Sequence, residues 1–310
     1  MIAPAVVRHA DWSVDPAKRW VATAVRRDDR YLVRSVEREA GDLLVPSADG
    51  ATLVGVDFPI GLPLAYARAV GIDSFADALP SIGGALLPRF FDVATAPDEI
   101  GLGRPFYPAR AGAKGSTRRQ HLAAGLGIAF GDLWRRCERP VVGRPAASTL
   151  FWLVGSQQVG RAALHGWRSV LQPARRQAGD VALWPFDGDL FHLLATRSVT
   201  VAEAYPAEAA RQLGFDRGGW SKRRQADRRR VGAALVTWAA DHDVDWSDDV
   251  ASRVEDGFGP AAAGEDAFDA VVGLSGLLRV VSGLQPAAPP NLCAPVRSVE
   301  GWILGLDQVP

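Results

Sequence analysis

Three short apolar runs in this chain each carry a carboxylate at or near their end, and a fourth apolar segment carries two more. Asp11 lies near the end of residues 5–12 (AVVRHADW), Asp57 closes residues 52–57 (TLVGVD), and Glu203 closes residues 197–203 (RSVTVAE). Asp266 and Asp269 stand three apart in residues 264–278 (GEDAFDAVVGLSGLL), a spacing that puts both on one face of a helix. Simpler roles exist for some of them. An Asp at a strand end is commonly a turn former, and acids in a first helical turn favour the helix dipole, which suffices for Glu265 and Asp266. Asp57 reads equally as a strand-terminating acid that caps the next turn, whereas Asp269 is harder to account for in that way. The run before Asp57 is apolar enough for a strand buried on both faces. Asp269 is flanked by Phe268, Ala270, Val271 and Val272, where an ionised carboxylate is costly without a partner. The chemistry open to such acids, once gathered, is metal-assisted phosphodiester hydrolysis. Mg²⁺ and Mn²⁺ prefer hard oxygen ligands, and two ions about 3.5–4 Å apart can bracket a scissile phosphate. Without cations, crowded carboxylates would raise one another's pKa values.

The elements that must position these acids follow from hydrophobic periodicity. Residues 5–12, 19–25 (RWVATAV) and 31–36 (YLVRSV) alternate, with the charged connection 26–30 between the second and third. They predict three consecutive antiparallel strands. Residues 52–57 predict a buried central strand, stopped by the proline turn FPIGLP (58–63). Residues 197–203 repeat the pattern of strand, acid and proline turn (AYP, 204–206) before an amphipathic helix over 207–213. The expectation is an α/β protein built as one domain over 1–310. Its core halves span about 1–62 and 196–310, and a large, mainly helical insertion over about 64–195 emerges beside the acids and covers them. Helical stretches are expected within 75–79, 121–136, 146–152 and 160–171. Residues 181–185 and 190–195 are expected to add edge structure, and QPAAPP (285–290) to form an extended linker.

Several of these segments together resemble a known family. VGVDFPIGLP (54–63), EAYP (203–206) and DAFDA (266–270) look like the domain of unknown function 429, whose members are predicted ribonuclease H-like nucleases. LVGSQQVGRAALHGW (153–167), WPFD (184–187) and EGWILGL (300–306) fit the same pattern, so the resemblance spans nearly the whole chain. It implies a ribonuclease H-like mixed sheet, three antiparallel strands followed by parallel ones. It also implies a carboxylate cluster of Asp11, Asp57, Glu203 and Asp266 or Asp269 holding Mg²⁺ or Mn²⁺. In that scheme Asp11 bridges two ions, Asp57 and Glu203 hold one, and Asp266 or Asp269 holds the other. One departure stands out: Trp12 follows Asp11, where a phosphate-wrapping turn would want glycine.

Charge bears on the partner. Basic and acidic residues balance at 35 each, so no global field draws in nucleic acid. Basic clusters do exist locally. Arg110, Lys114, Arg118 and Arg119, beside Tyr107 in a Gly- and Pro-rich stretch, suit phosphate contact and base stacking. They are the preferred candidates for contact with a nucleic acid or nucleotide. The denser run DRGGWSKRRQADRRR (216–230) reads first as a solvated helix face.

Other chemistries fit less well. GSQQVG (155–160) lacks the Lys-Ser/Thr of a phosphate loop. Five dispersed histidines argue against zinc, no G-x-S-x-G elbow occurs, and His165 reads as a hydrogen-bonded structural histidine. Cys137 and Cys293 have neither metal nor redox spacing. No signal peptide is expected, and Asp269 and Arg279 interrupt the most apolar stretch, so a cytoplasmic protein without a membrane span is expected. The function expected is a metal-dependent nuclease. Two alternatives stand beside it: a phosphotransferase or phosphohydrolase acting on a small nucleotide or sugar, and a non-catalytic binding or regulatory module that keeps the fold.

Overall fold

The alternation at the start of the chain becomes a meander: β1 (Val6–Asp11), β2 (Trp20–Arg27) and β3 (Arg30–Arg38) pair antiparallel in sequence order. β4 (Thr52–Val56) then returns parallel to β1 on its other side. β5 (Val181–Leu183) and β6 (Val199–Glu203) extend that side in parallel, and β7 (Val244–Trp246) lies parallel to β3 at the far edge. The computed structural model describes residues 3–110, 118–154, 159–177, 180–215 and 219–309. Among these, the sheet has seven strands in the order β5-β6-β4-β1-β2-β3-β7. The expected mixed sheet, antiparallel and then parallel, is present.

Between β4 and β6 the chain forms α1 (Leu64–Ala69), α2 (Phe75–Ala78), α3 (Arg119–Leu126), α4 (Val159–Gly166), α5 (Gln172–Arg176) and α6 (Leu190–Thr196). After β6 come α7 (Pro206–Gln212), α8 (Gln225–Ala240), α9 (Asp248–Glu255) and α10 (Ala263–Val281). Two hydrophobic cores sandwich the sheet. On one face α7–α10 pack over Val7, Leu53 and Ala202. On the other, Phe58, Phe75, Phe90, Phe151 and Trp167 pack over Val54, Val56 and Val201. Every residue of β4 and β6 is therefore buried, which explains their unbroken apolar sequences.

Two expectations differ, and one strand was not expected. Residues 190–195 form a helix rather than edge structure, because Asp189 caps them, its Oδ1 accepting from the Phe191 N–H at 3.0 Å. Residues 146–152 are irregular. Nothing in the sequence pattern announces β7, three residues long, with Asp245 exposed in its middle. The expected edge structure at 181–185 is β5, and the chain end at 301–306 joins the sheet through a bridge between Ile303 and Glu203.

Helix α10 is the element that matters most for the acids. It is buried nearly all round, as a helix apolar on every side must be. Gly273 lets it close on β1: a Cβ there would lie 2.1 Å from the His9 ring. His9 stands two residues before Asp11 on the same face of β1, and Asp269 one turn before Gly273. The close approach thus brings a helix carboxylate to the ends of the central strands. Among the described residues, no helix is long and apolar enough to cross a membrane.

Candidate active site

Side chains alternate across a strand, and that parity sorts the expected acids. Asp11 follows Val7 and His9 on the α10 face of β1, and Asp57 follows Leu53 and Gly55 on the α10 face at the end of β4. Both meet Asp269 from α10. The Trp12 N–H donates to Asp57 Oδ1 at 2.7 Å, and the carboxyls of Asp11 and Asp57 share a hydrogen bond. The residue that stands where glycine was wanted therefore contributes its backbone. Its ring lies edge-on to Phe58 at 6.0 Å and under the Arg19 guanidinium at 4.4 Å. Arg19 also donates to the carbonyls of Ser13 (2.6 Å) and Val14 (3.1 Å), fixing the turn that follows Asp11.

Burial dominates the electrostatics. It pushes Asp11 well above the ordinary carboxylate range, with Asp57, Asp269 and Asp266 repelling its charge in addition. Burial likewise pushes Asp57 up to about 7 and Asp269 up to about 6. The half-buried Asp266 is raised by desolvation and then by Glu265. Desolvation and mutual repulsion thus disfavour full ionisation of the Asp11–Asp57 pair. Beneath it His9, whose Nε2 lies 3.1 Å from the Ala204 carbonyl oxygen, is driven down to about 4 by burial and stays neutral at physiological pH.

Among the described residues Lys222 is seated directly on these acids, and Lys18 and Arg38 act on Asp266 from farther off. Lys222 Nζ is ion-paired with Asp269 Oδ2 and lies 3.3 Å from Glu265 Oε1. The acids open onto a cleft of about 1100 Å³, whose walls include Lys18, Arg144, Arg161, Lys222 and Arg223, with Trp12, Tyr205 and Trp220.

Glu203 is not among these acids. In the β4–β6 register it pairs with Val56, not Asp57, so its side chain points to the opposite face. There Arg135 Nη2 and Nη1 donate to its two oxygens at 2.7 Å each, and the Ile60 N–H donates at 2.8 Å. The repeated sequence pattern of strand, acid and proline turn concealed a one-residue difference in parity. The expected cluster is thus Asp11, Asp57 and Asp269, with Asp266 at its rim.

The expected basic contacts are also placed elsewhere. Tyr107 is buried, with its ring 6.1 Å from that of Trp152. Arg119 stacks over Phe130 at 5.0 Å. Arg110 and Arg118 are exposed and do not line the cleft, and Lys114 lies outside the described residues. The run taken as a solvated helix face instead supplies Lys222 and Arg223 to the cleft, in the turn before α8. Its signal was the tight order W-S-K-R-R ahead of a helix, which a count of charges cannot distinguish from a surface. The chain between β4 and β6 provides the facing wall through residues 144–148 and 159–162. There Arg161 donates to the carbonyls of Pro108 and Ala109.

The chain matches no protein-family model, no curated protein and no solved structure.

Proposed function

We propose that this chain is a divalent-metal-dependent phosphoesterase, and within that class a nuclease of the ribonuclease H-like type. One observation carries the reading: the Asp11–Asp57 pair is buried, raised in pKa and held by the Trp12 N–H at the floor of a cleft with a basic rim. Two desolvated carboxylates this close cannot both ionise readily without a cation. Strongly perturbed acids in a cleft are a physical mark of a functional site. Antiparallel β1–β3 followed by parallel β4 and β6 is also the arrangement that the resemblance to the domain of unknown function 429 implies.

The donor set suits a hard cation. The acids offer carboxylate oxygens, and His9, two residues before Asp11, uses Nε2 on the Ala204 carbonyl. Among the described residues no group of three or more His, Cys, Asp or Glu forms a ready ligand cage. An Mg²⁺ or Mn²⁺ ion here would therefore have to complete its shell with waters and substrate phosphates around one or two carboxylates. Asp11 and Asp57 would hold the ion, which when bound would acidify a water and neutralise phosphate charge.

The chain's own groups supply the rest. The Trp12 N–H orients Asp57, and Arg19 holds the turn behind Asp11. Lys18 and Arg223 give the cleft rim a positive potential toward phosphate. Tyr205 and Trp220 offer ring faces or edges along the wall.

The test is hydrolysis of single-stranded and duplex oligonucleotides and of bis-(p-nitrophenyl) phosphate with Mn²⁺, in the wild type and in Asp57→Asn. Metal-dependent cleavage that falls at least about 100-fold in the variant is expected. Mn²⁺ binding without cleavage of any phosphodiester would overturn the nuclease reading and favour a binding module.

A further inference from the structure

We propose that the Lys222 ammonium is a resident cation of this site. It takes the place of one of the two divalent ions expected, so that the chain binds a single divalent ion, at Asp11 and Asp57. The inference rests on the metal reading above and concerns how many ions that site holds.

Two carboxylates one turn apart on α10, Glu265 and Asp269, converge on the lysine nitrogen. Its charge also acts favourably on Asp11 and Asp57. The ammonium therefore sits on the acid that a second ion would need. A second divalent ion would have to displace it from Asp269 or lie beside a like charge.

The position of the lysine is built into the fold rather than left to a flexible surface chain. Arg228, 1% exposed, donates to the Lys222 carbonyl and also to those of Gly257 and Gly259. The Ser221 N–H donates to Asp227 Oδ2 at 2.9 Å, and the Arg224 N–H to the Ser221 carbonyl at 2.9 Å. A buried guanidinium thus ties the turn of Lys222 to the loop that precedes α10. Gly264, where a Cβ would lie 3.0 Å from that guanidinium, keeps the space open. The side chain of Lys222 itself is 46% exposed against 9% for Asp269, so it covers the acid from the solvent side and its replacement is compatible with folding.

The experiment is calorimetric titration of Mn²⁺ into the metal-free wild type, Lys222→Arg, Lys222→Met and the double variant Lys222→Met/Asp269→Asn. Near-ultraviolet circular dichroism confirms that each is folded. One ion per chain is expected for the wild type and Lys222→Arg, two for Lys222→Met, and one again for the double variant. Two ions in the wild type, or one ion in Lys222→Met, would overturn the inference while leaving the metal reading in place. No binding in either the wild type or Lys222→Met would remove the metal reading, and this inference with it.

Discussion

The sheet carries a buried acidic site on each face, and the two are solved in opposite ways. On the α1–α5 face Glu203 and Glu138 flank Arg135, whose guanidinium makes bonds of 2.7–2.8 Å to both acids and further bonds to the carbonyls of Ile60 and Glu300. On the α10 face Asp11 and Asp57 have a backbone N–H and each other, while the nearest ammonium is spent on Asp269 and Glu265. The first site is saturated with donors in fixed geometry, and Arg135, Glu138 and Glu203 do not line the cleft of the second. The second is short of positive charge and opens onto the cleft of about 1100 Å³. Burial alone therefore does not mark function; burial with its compensation left incomplete does.

The sharpest way to break this contrast is to remove the cation of the saturated site. Arg135→Met leaves Glu203 and Glu138 buried without their partner, and it should destabilise the protein by about 3–5 kcal/mol, read as a fall in the urea midpoint. Burial already pushes Glu138 up to about 7 even with the guanidinium present. If Arg135→Met cost less than about 1 kcal/mol, the two sites would be alike, and the case for the α10 face as the functional one would fail.

The open site should respond to pH with the opposite sign to an ordinary ion-paired acid. Asp57 is raised to about 7 and Asp269 to about 6, so between about pH 4 and pH 7 the folded chain binds protons that the unfolded chain has released. Their contribution to stability is present below the ordinary carboxylate pKa and is lost as pH rises through the raised values. His9, lowered to about 4, works in the other direction over part of this window. The informative quantity is therefore the difference between Asp57→Asn and the wild type in chelator. The variant should gain on the wild type by on the order of 3 kcal/mol from pH 4.5 to 7.5, and saturating Mn²⁺ should remove that gain by stabilising only the wild type. A pH-independent difference would mean that Asp57 titrates normally and is no part of a strained pair.

How much of this was legible in the chain depends on which physical rule each residue obeyed. The meander of β1–β3 and the buried β4 and β6 follow from alternation and apolar runs, which are local. Asp57 and Asp269 stood out because an acid inside an apolar run demands a partner. Glu203 obeyed the same local pattern, yet its face was decided by the pairing of Val56 with Glu203, a register no single strand contains. Arg135, its partner, comes 68 residues earlier from an irregular segment with no motif. Lys222 was hidden by its neighbours, since in a run of seven basic residues over 216–230 nothing local tells the one that meets α10 from those that meet water.

The smallest effect tests which basic segment faces the substrate. Arg223 lines the cleft next to Lys222, whereas Arg119 lies over Phe130 in α3. An exposed guanidinium at the rim contributes mainly through counterion release. Arg223→Gln should therefore weaken binding of a single-stranded oligonucleotide by about threefold at moderate salt and reduce the salt-dependence slope by about 0.7. Arg119→Gln should change binding by less than about twofold and leave the slope as it is. Fluorescence anisotropy across a salt series, in Ca²⁺ to suppress cleavage, measures both. If Arg119 carried the larger slope, the strand would pass over the segment around residue 119 instead of along the N-terminus of α8. The cleft beside Lys222 would then serve only the reacting end of the substrate.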